Sequence, residues 1–167
     1  MKKYITVFAI LIILTSCEEE DNNNESNGWI DKELIGELIS KSYDTLEVDS
    51  NTFVLDAFLW RNFMPITELG GEPMISINWL REIDSNYIPD NIDLIEQYVI
   101  NNDSIWISDF ENESRPPQPD YMIEKISRDG PKWGPEIYVD VISKVYNSAK
   151  DEAYYIRKEN VYIVRTE

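Results

Sequence analysis

Histidine is absent from these 167 residues, and cysteine occurs once. The first absence excludes Ser-His-Asp and Cys-His relays, which need an imidazole to move the proton. The second excludes an internal disulfide, and the two together exclude zinc centres built from His and Cys. Basic side chains are scarce too: 15 Lys and Arg stand against 32 Asp and Glu, a formal charge of −17. A field of that sign repels phosphate backbones, and no basic cluster offsets it, so nucleic acid is excluded as a partner. Long apolar runs are also lacking. The stretch from Tyr4 to Leu14 is too short to cross a bilayer, which takes ~20 apolar residues. The chemistry left open is that of carboxylates, lysine, tyrosine or an oxygen-ligated metal, and nothing in the chain calls for a cofactor.

What is present begins with Met1-Lys2-Lys3, the apolar run, and Leu14-Thr15-Ser16-Cys17. Positive residues, a short apolar core and small residues before a junction describe a secretory leader. The last four residues resemble the lipobox of bacterial lipoproteins. That resemblance implies cleavage between Ser16 and Cys17, lipidation of Cys17 and loss of residues 1–16. Two or three acyl chains on one residue then hold a protein to a membrane almost permanently, where one chain holds it only marginally. Residues 17–28 carry Glu18-Glu19-Glu20-Asp21 and no apolar side chain between Cys17 and Trp29, so they are expected to form an acidic, disordered tether. In some Gram-negative lipoproteins, acids directly after the cysteine resemble a signal for display on the outer leaflet. The expected address is therefore the bacterial outer membrane, facing the cell surface, with a periplasm-facing domain as the alternative.

Residues 29–167 have the size of one domain with an apolar core. Ile30, Leu34, Ile35, Leu38 and Ile39 recur at helical spacing and predict one short amphipathic helix. From Thr45 the period changes to two. Thr52–Trp60 predicts a strand with Phe53, Leu55, Ala57 and Leu59 on one face and Val54, Asp56, Phe58 and Trp60 on the other. Met74–Ile83 predicts another, with Ile75, Ile77, Trp79 and Ile83 toward the core and Ser76, Asn78 and Glu82 away from it. Leu94–Ile100 and Ser104–Phe110 flank Asn101-Asn102-Asp103 as a hairpin. Tyr121–Ser127 reads as a short strand or one helical turn, and Asp129–Pro135 as a compact turn around Trp133. Glu136–Tyr146 predicts a strand with Ile137, Val139 and Val141 inward. Ala153–Lys158 and Val161–Arg165 predict a hairpin over Glu159-Asn160. Many short strands without a βαβ rhythm make the expected fold mainly β, a two-sheet immunoglobulin-like sandwich with one short N-terminal helix. Residues 53–65 and 130–142 resemble segments of small bacterial sandwich domains of unassigned activity.

Three side-chain groupings bear on function. Phe58, Trp60, Trp106, Tyr138 and Tyr146 fall on faces that also carry polar residues, and Trp133 sits among glycines and prolines in a turn. Exposed aromatics of this kind stack on sugar rings and dominate protein interfaces, although the same residues equally serve to cover a sheet. Asp84-Ser85-Asn86 begins like a calcium loop, but Ile88 and Pro89 stand where a ligand and a glycine are needed. That leaves Asp90, Asp93, Asp103, Asp109 and Glu111 as an irregular oxygen set and any metal site unknown. Asp56 and Asp140, mid-strand among apolar neighbours, would serve as acid and base if paired. The function expected is binding rather than catalysis: an anchored module for a glycan, a peptide or another envelope protein. A carboxylate enzyme acting on polysaccharide and a structural subunit of an envelope complex are the alternatives.

Overall fold

A computed structural model describes residues 28–67, 69–111 and 116–167. The leader, the Ser16–Cys17 junction and all of the tether except Gly28 lie outside the described residues. A two-residue strand, β1 (Trp29–Ile30), leads into helix α1 (Lys32–Lys41). Asp31 caps the helix, its carboxylate accepting the Leu34 amide at 2.9 Å, with Glu33 in the first turn and Lys41 in the last. Charges so placed suit the helix dipole. Of the five residues at helical spacing, Ile35 and Leu38 are buried and Leu34 is half-buried, whereas Ile39 is exposed and Ile30 lies before the helix, in β1.

The rest is β: β2 (Ser42–Tyr43), β3 (Thr45–Val48), β4 (Asn51–Asn62), β5 (Met74–Glu82), β6 (Ile92–Asn101), β7 (Ser104–Asp109), β8 (Met122–Gly130), β9 (Tyr138–Asn147) and β10 (Glu152–Thr166). They form one sheet in the order β1-β7-β6-β9-β10-β4-β5-β8, with β2 added beside β10 and β3 beside β4. The sheet is open and curled like half a barrel, and its ladders do not confirm the two separate sheets of an immunoglobulin-like sandwich. The curl turns on β10. Its first half pairs antiparallel with β9 and its last residues pair parallel with β4. The expected hairpin over Glu159-Asn160 is therefore corrected to a single 15-residue strand with a register shift between Lys158 and Val161. Asn160 takes φ +57° there, and its amide donates to the Asp140 carboxylate at 2.9 Å. A left-handed asparagine serves a bulge as well as a turn.

Between the curled walls lie Phe53, Leu55 and Leu59 of β4, Leu80 of β5, Val139, Val141 and Val145 of β9, and Ile156 and Ile163 of β10. Helix α1 covers the back of β6, β7 and β9, where Ile35 and Leu38 meet Tyr98, Ile100, Ile105 and Ile142. This gives β9 apolar residues on both faces, as a central strand requires. Strand β5 reverses the expected orientation. Met74, Ser76, Asn78, Leu80 and Glu82 are buried, while Ile75, Ile77 and Trp79 are half-buried on the outer face. The inward polar residues find partners across the core. Asn78 Nδ2 donates to Gln97 Oε1 at 2.6 Å and to Ser76 Oγ at 3.0 Å, and Gln97 Nε2 donates to Ser108 Oγ at 3.0 Å. A buried carboxamide is tolerated only with such partners.

Candidate functional site

The outer face of β4, β9 and β10 carries a row of aromatic rings, and the register explains why. Tyr162 of β10 pairs with Tyr138 of β9, their ring centroids 5.2 Å apart. One position before the fully buried Ile163–Leu59 pair, Tyr162 and Phe58 both face outward on neighbouring strands. Phe58 stacks on Trp60 at 5.5 Å with 29° between the planes, and β5 continues the surface with Ile77 opposite Phe58 and Ile75 opposite Trp60. Tyr138 is 65% exposed, and Phe58 and Tyr162 are each 40% exposed. Near Tyr138, the exposed Ile39 of α1 and Ile35 border a smaller depression shared with Asp140 and Asn160.

The row ends in an open groove of about 390 Å³ at the Trp60 end. Trp60, Ile75, Pro73 and Met64 supply its apolar lining, and Asn62, Glu72, Arg128, Asp129 and Thr166 its polar rim. The walls are tied together from behind by Arg61, whose side chain points inward and is 2% exposed. Its Nε donates to the Glu72 carbonyl at 3.0 Å, Nη1 to the carbonyls of Lys132 (2.9 Å) and Gly134 (2.8 Å), and Nη2 to that of Gly70. Burial lowers the Arg61 pKa, without discharging a guanidinium. The Phe63 ring meets two guanidiniums, those of Arg61 and Arg165, at 4.9 Å and 4.2 Å from its centroid. The Glu72 amide also donates to the Asn62 carbonyl at 2.9 Å. One rim residue is thus fixed at both backbone ends.

Of the six aromatics expected at a ligand surface, the structure brings Phe58, Trp60 and Tyr138 onto this face. Trp106 and Trp133, 7% and 8% exposed, are core residues instead. Gly130 lies against the Trp106 ring and Gly28 against the Trp133 ring so closely that an added Cβ would fall 2.8 Å and 2.5 Å from ring carbons. Tyr146 lies toward the other end of β9, its hydroxyl 2.7 Å from Asp151 Oδ1, which raises its pKa. The fourth ring, Tyr162, is not among the expected residues, although it alternates with Val161 and Ile163. The rim residues had no local signal, since they come from β4, β8, β10 and the loop before β5.

The two carboxylates weighed as an acid–base pair do not share a cavity. Asp56 lines a separate depression with Arg81 and Lys158, which approach it at 3.4 Å and 3.5 Å. Asp140 lies beyond β10 and holds the Asn160 amide. The loop acids are likewise dispersed: Asp93 meets Lys125 at 2.9 Å, Asp103 meets Lys32 at 2.6 Å, Glu111 meets Arg128 at 3.5 Å, and Asp90 accepts from the Tyr87 hydroxyl. No group of three or more Asp, Glu, Cys or His side chains is gathered for a metal among the described residues. The calcium-like turn proves to be a cradle for Glu82. Its carboxylate accepts the amides of Asn86 (2.7 Å), Asp84 (2.9 Å) and Thr52 (3.4 Å), so the turn presents donors inward. Those bonds, that of Asn86 first, hold the Glu82 pKa below the usual carboxylate range.

No helix among the described residues is long and apolar enough to cross a membrane. No family model, curated protein or solved structure matches this chain.

Proposed function

We propose that this chain is a lipid-anchored protein of the bacterial outer membrane whose β domain binds a glycan at the cell surface. The anchor rests on Leu14-Thr15-Ser16-Cys17, with Cys17 as the lipidated residue, and the display on the acids that follow it. The binding role rests on one observation, the outward row Tyr138–Tyr162–Phe58–Trp60 that runs into a groove with a polar rim. An aromatic floor offers an apolar ring face, and amide, carboxylate, hydroxyl and guanidinium groups beside it meet hydroxyls. A peptide or envelope-protein partner would use the same face, but a standard protein interface needs about 800 Å² on each side. The narrow aromatic row is broken by the charged set Asp56, Arg81 and Lys158 on one flank.

Two experiments test the reading. Cys17→Ser should abolish fatty-acid labelling and release the chain from membranes; a variant that still pellets with membranes refutes the anchor. Full-length protein should be retained on an insoluble polysaccharide, and Phe58→Ala with Tyr162→Ala should weaken retention. Equal retention of the double variant refutes the aromatic face as the binding surface.

A further inference from the structure

The groove at the Trp60 end of the row combines an apolar floor with a largely acidic rim. Resting on the glycan reading above, we infer that it takes neutral pyranose chains and discriminates against uronic or sulfated ones, with Trp60 as the platform and Glu72 and Asp129 as the specificity-determining acids.

Charge, shape and continuity converge on this. The rim places two carboxylates, Glu72 and Asp129, beside one guanidinium, Arg128, and that guanidinium already lies 3.5 Å from the Glu111 carboxylate. An anionic sugar would enter with uncompensated repulsion from the rim and from a protein of formal charge −17. A neutral sugar meets no such barrier, and its hydroxyls are donors that carboxylates accept strongly. Asn62 and Thr166 add an amide and a hydroxyl at the same edge. The groove is also held in shape before any ligand arrives. Glu72 is fixed through its amide on Asn62 and its carbonyl on Arg61, and Thr166 Oγ1 donates to the Arg61 carbonyl at 3.3 Å. Preorganised walls reduce the entropy lost on binding. The aromatic surface does not stop at the rim but continues through Phe58 and Tyr162 to Tyr138. A single sugar would fill the groove alone, whereas a chain of several would use the groove and the row together.

The test titrates the full chain with cellohexaose, xylohexaose, mannohexaose and hexagalacturonate by isothermal titration calorimetry at low and moderate salt. At least one neutral hexaose should bind at least tenfold more tightly than hexagalacturonate, with little dependence on salt. Trp60→Ala should weaken that binding at least tenfold, and Tyr162→Ser, an exposed change that leaves the core intact, about threefold. Glu72→Gln with Asp129→Asn should narrow the gap between neutral and acidic hexaoses. Hexagalacturonate binding as tightly as every neutral hexaose overturns the specificity inference and leaves the glycan reading standing. Silence from all four sugars overturns the glycan reading itself. Neutral binding unaffected by both Trp60→Ala and Tyr162→Ser overturns the assignment to this groove.

Discussion

Replacing Arg61 by methionine removes the buried cation that ties two loops to β4 while keeping most of the side-chain volume. The guanidinium donates to four backbone carbonyls, those of Gly70, Glu72, Lys132 and Gly134. At about 1–3 kcal/mol for each acceptor left without a donor, and with water reaching some of them once the loops loosen, the net cost is about 3–4 kcal/mol. The burial penalty on the cation, which lowers its pKa, is relieved by the same change and keeps the total below the simple sum. For a domain of this length each kcal/mol lowers Tm by about 2–4 °C, so the variant should melt about 10 °C earlier. Urea unfolding followed by tryptophan fluorescence reads this as a shift in midpoint at constant slope. Arg61→Lys, which keeps the charge but not the planar fork, should fall between. A methionine variant within about 1 kcal/mol of the parent would refute the reasoning, since a loss that small is what surface substitutions give.

Other outcomes follow from the same geometry. Asn78→Ala removes donors to Gln97 and Ser76 and an acceptor for Ser143 Oγ at 3.4 Å, and should cost about 2–3 kcal/mol in urea unfolding. In a double-mutant cycle with Gln97→Ala the losses should fall short of additive. Glu82 has a folded pKa below its unfolded one, so its stabilising effect is present above the unfolded value and is lost as pH falls through the folded value. Stability measured from pH 7 down to pH 2 should therefore decline less steeply in Glu82→Gln, which starts lower at neutral pH; parallel curves would contradict the cradle. Gly71→Ala places a Cβ 2.7 Å from the Phe63 ring at φ +77° and should lower Tm by several degrees, whereas Gly36→Ala, which meets nothing within 4 Å, should raise helix stability by about 1 kcal/mol.

Periodicity made much of the fold legible. The helix over Lys32–Lys41, the β6–β7 hairpin with Asn102 at φ +55°, and the inward set Phe53, Leu55 and Leu59 are all visible as local pattern. Strand β5 shows where local pattern stops. Alternation assigns Ile75, Ile77 and Trp79 to one face and Ser76, Asn78 and Glu82 to the other, but it does not say which face meets the core. That choice depends on Gln97 and Ser143 waiting on the opposite wall, and on the amides that receive Glu82. Strand β10 fails for a related reason, because Glu159-Asn160 gives the same local signal for a turn and for a bulge. Three of the aromatics, Phe58, Trp60 and Tyr138, were legible as outward residues. Their meeting with Tyr162 was not, because it depends on the parallel β10–β4 pairing of strands about a hundred residues apart in sequence. The groove rim is further still from local pattern, since Asn62, Glu72, Asp129 and Thr166 converge only after the sheet has curled.

A two-dimensional NMR titration of the protein with the neutral hexasaccharide that binds best maps the binding surface most directly. Binding at the aromatic row should shift Trp60, Phe58, Tyr162 and Tyr138 and the rim residues Asn62, Glu72, Asp129 and Thr166, with Trp106 and Trp133 unmoved. Shifts centred on the charged depression around Asp56, or on the far edge strands β1 and β7, would contradict this placement.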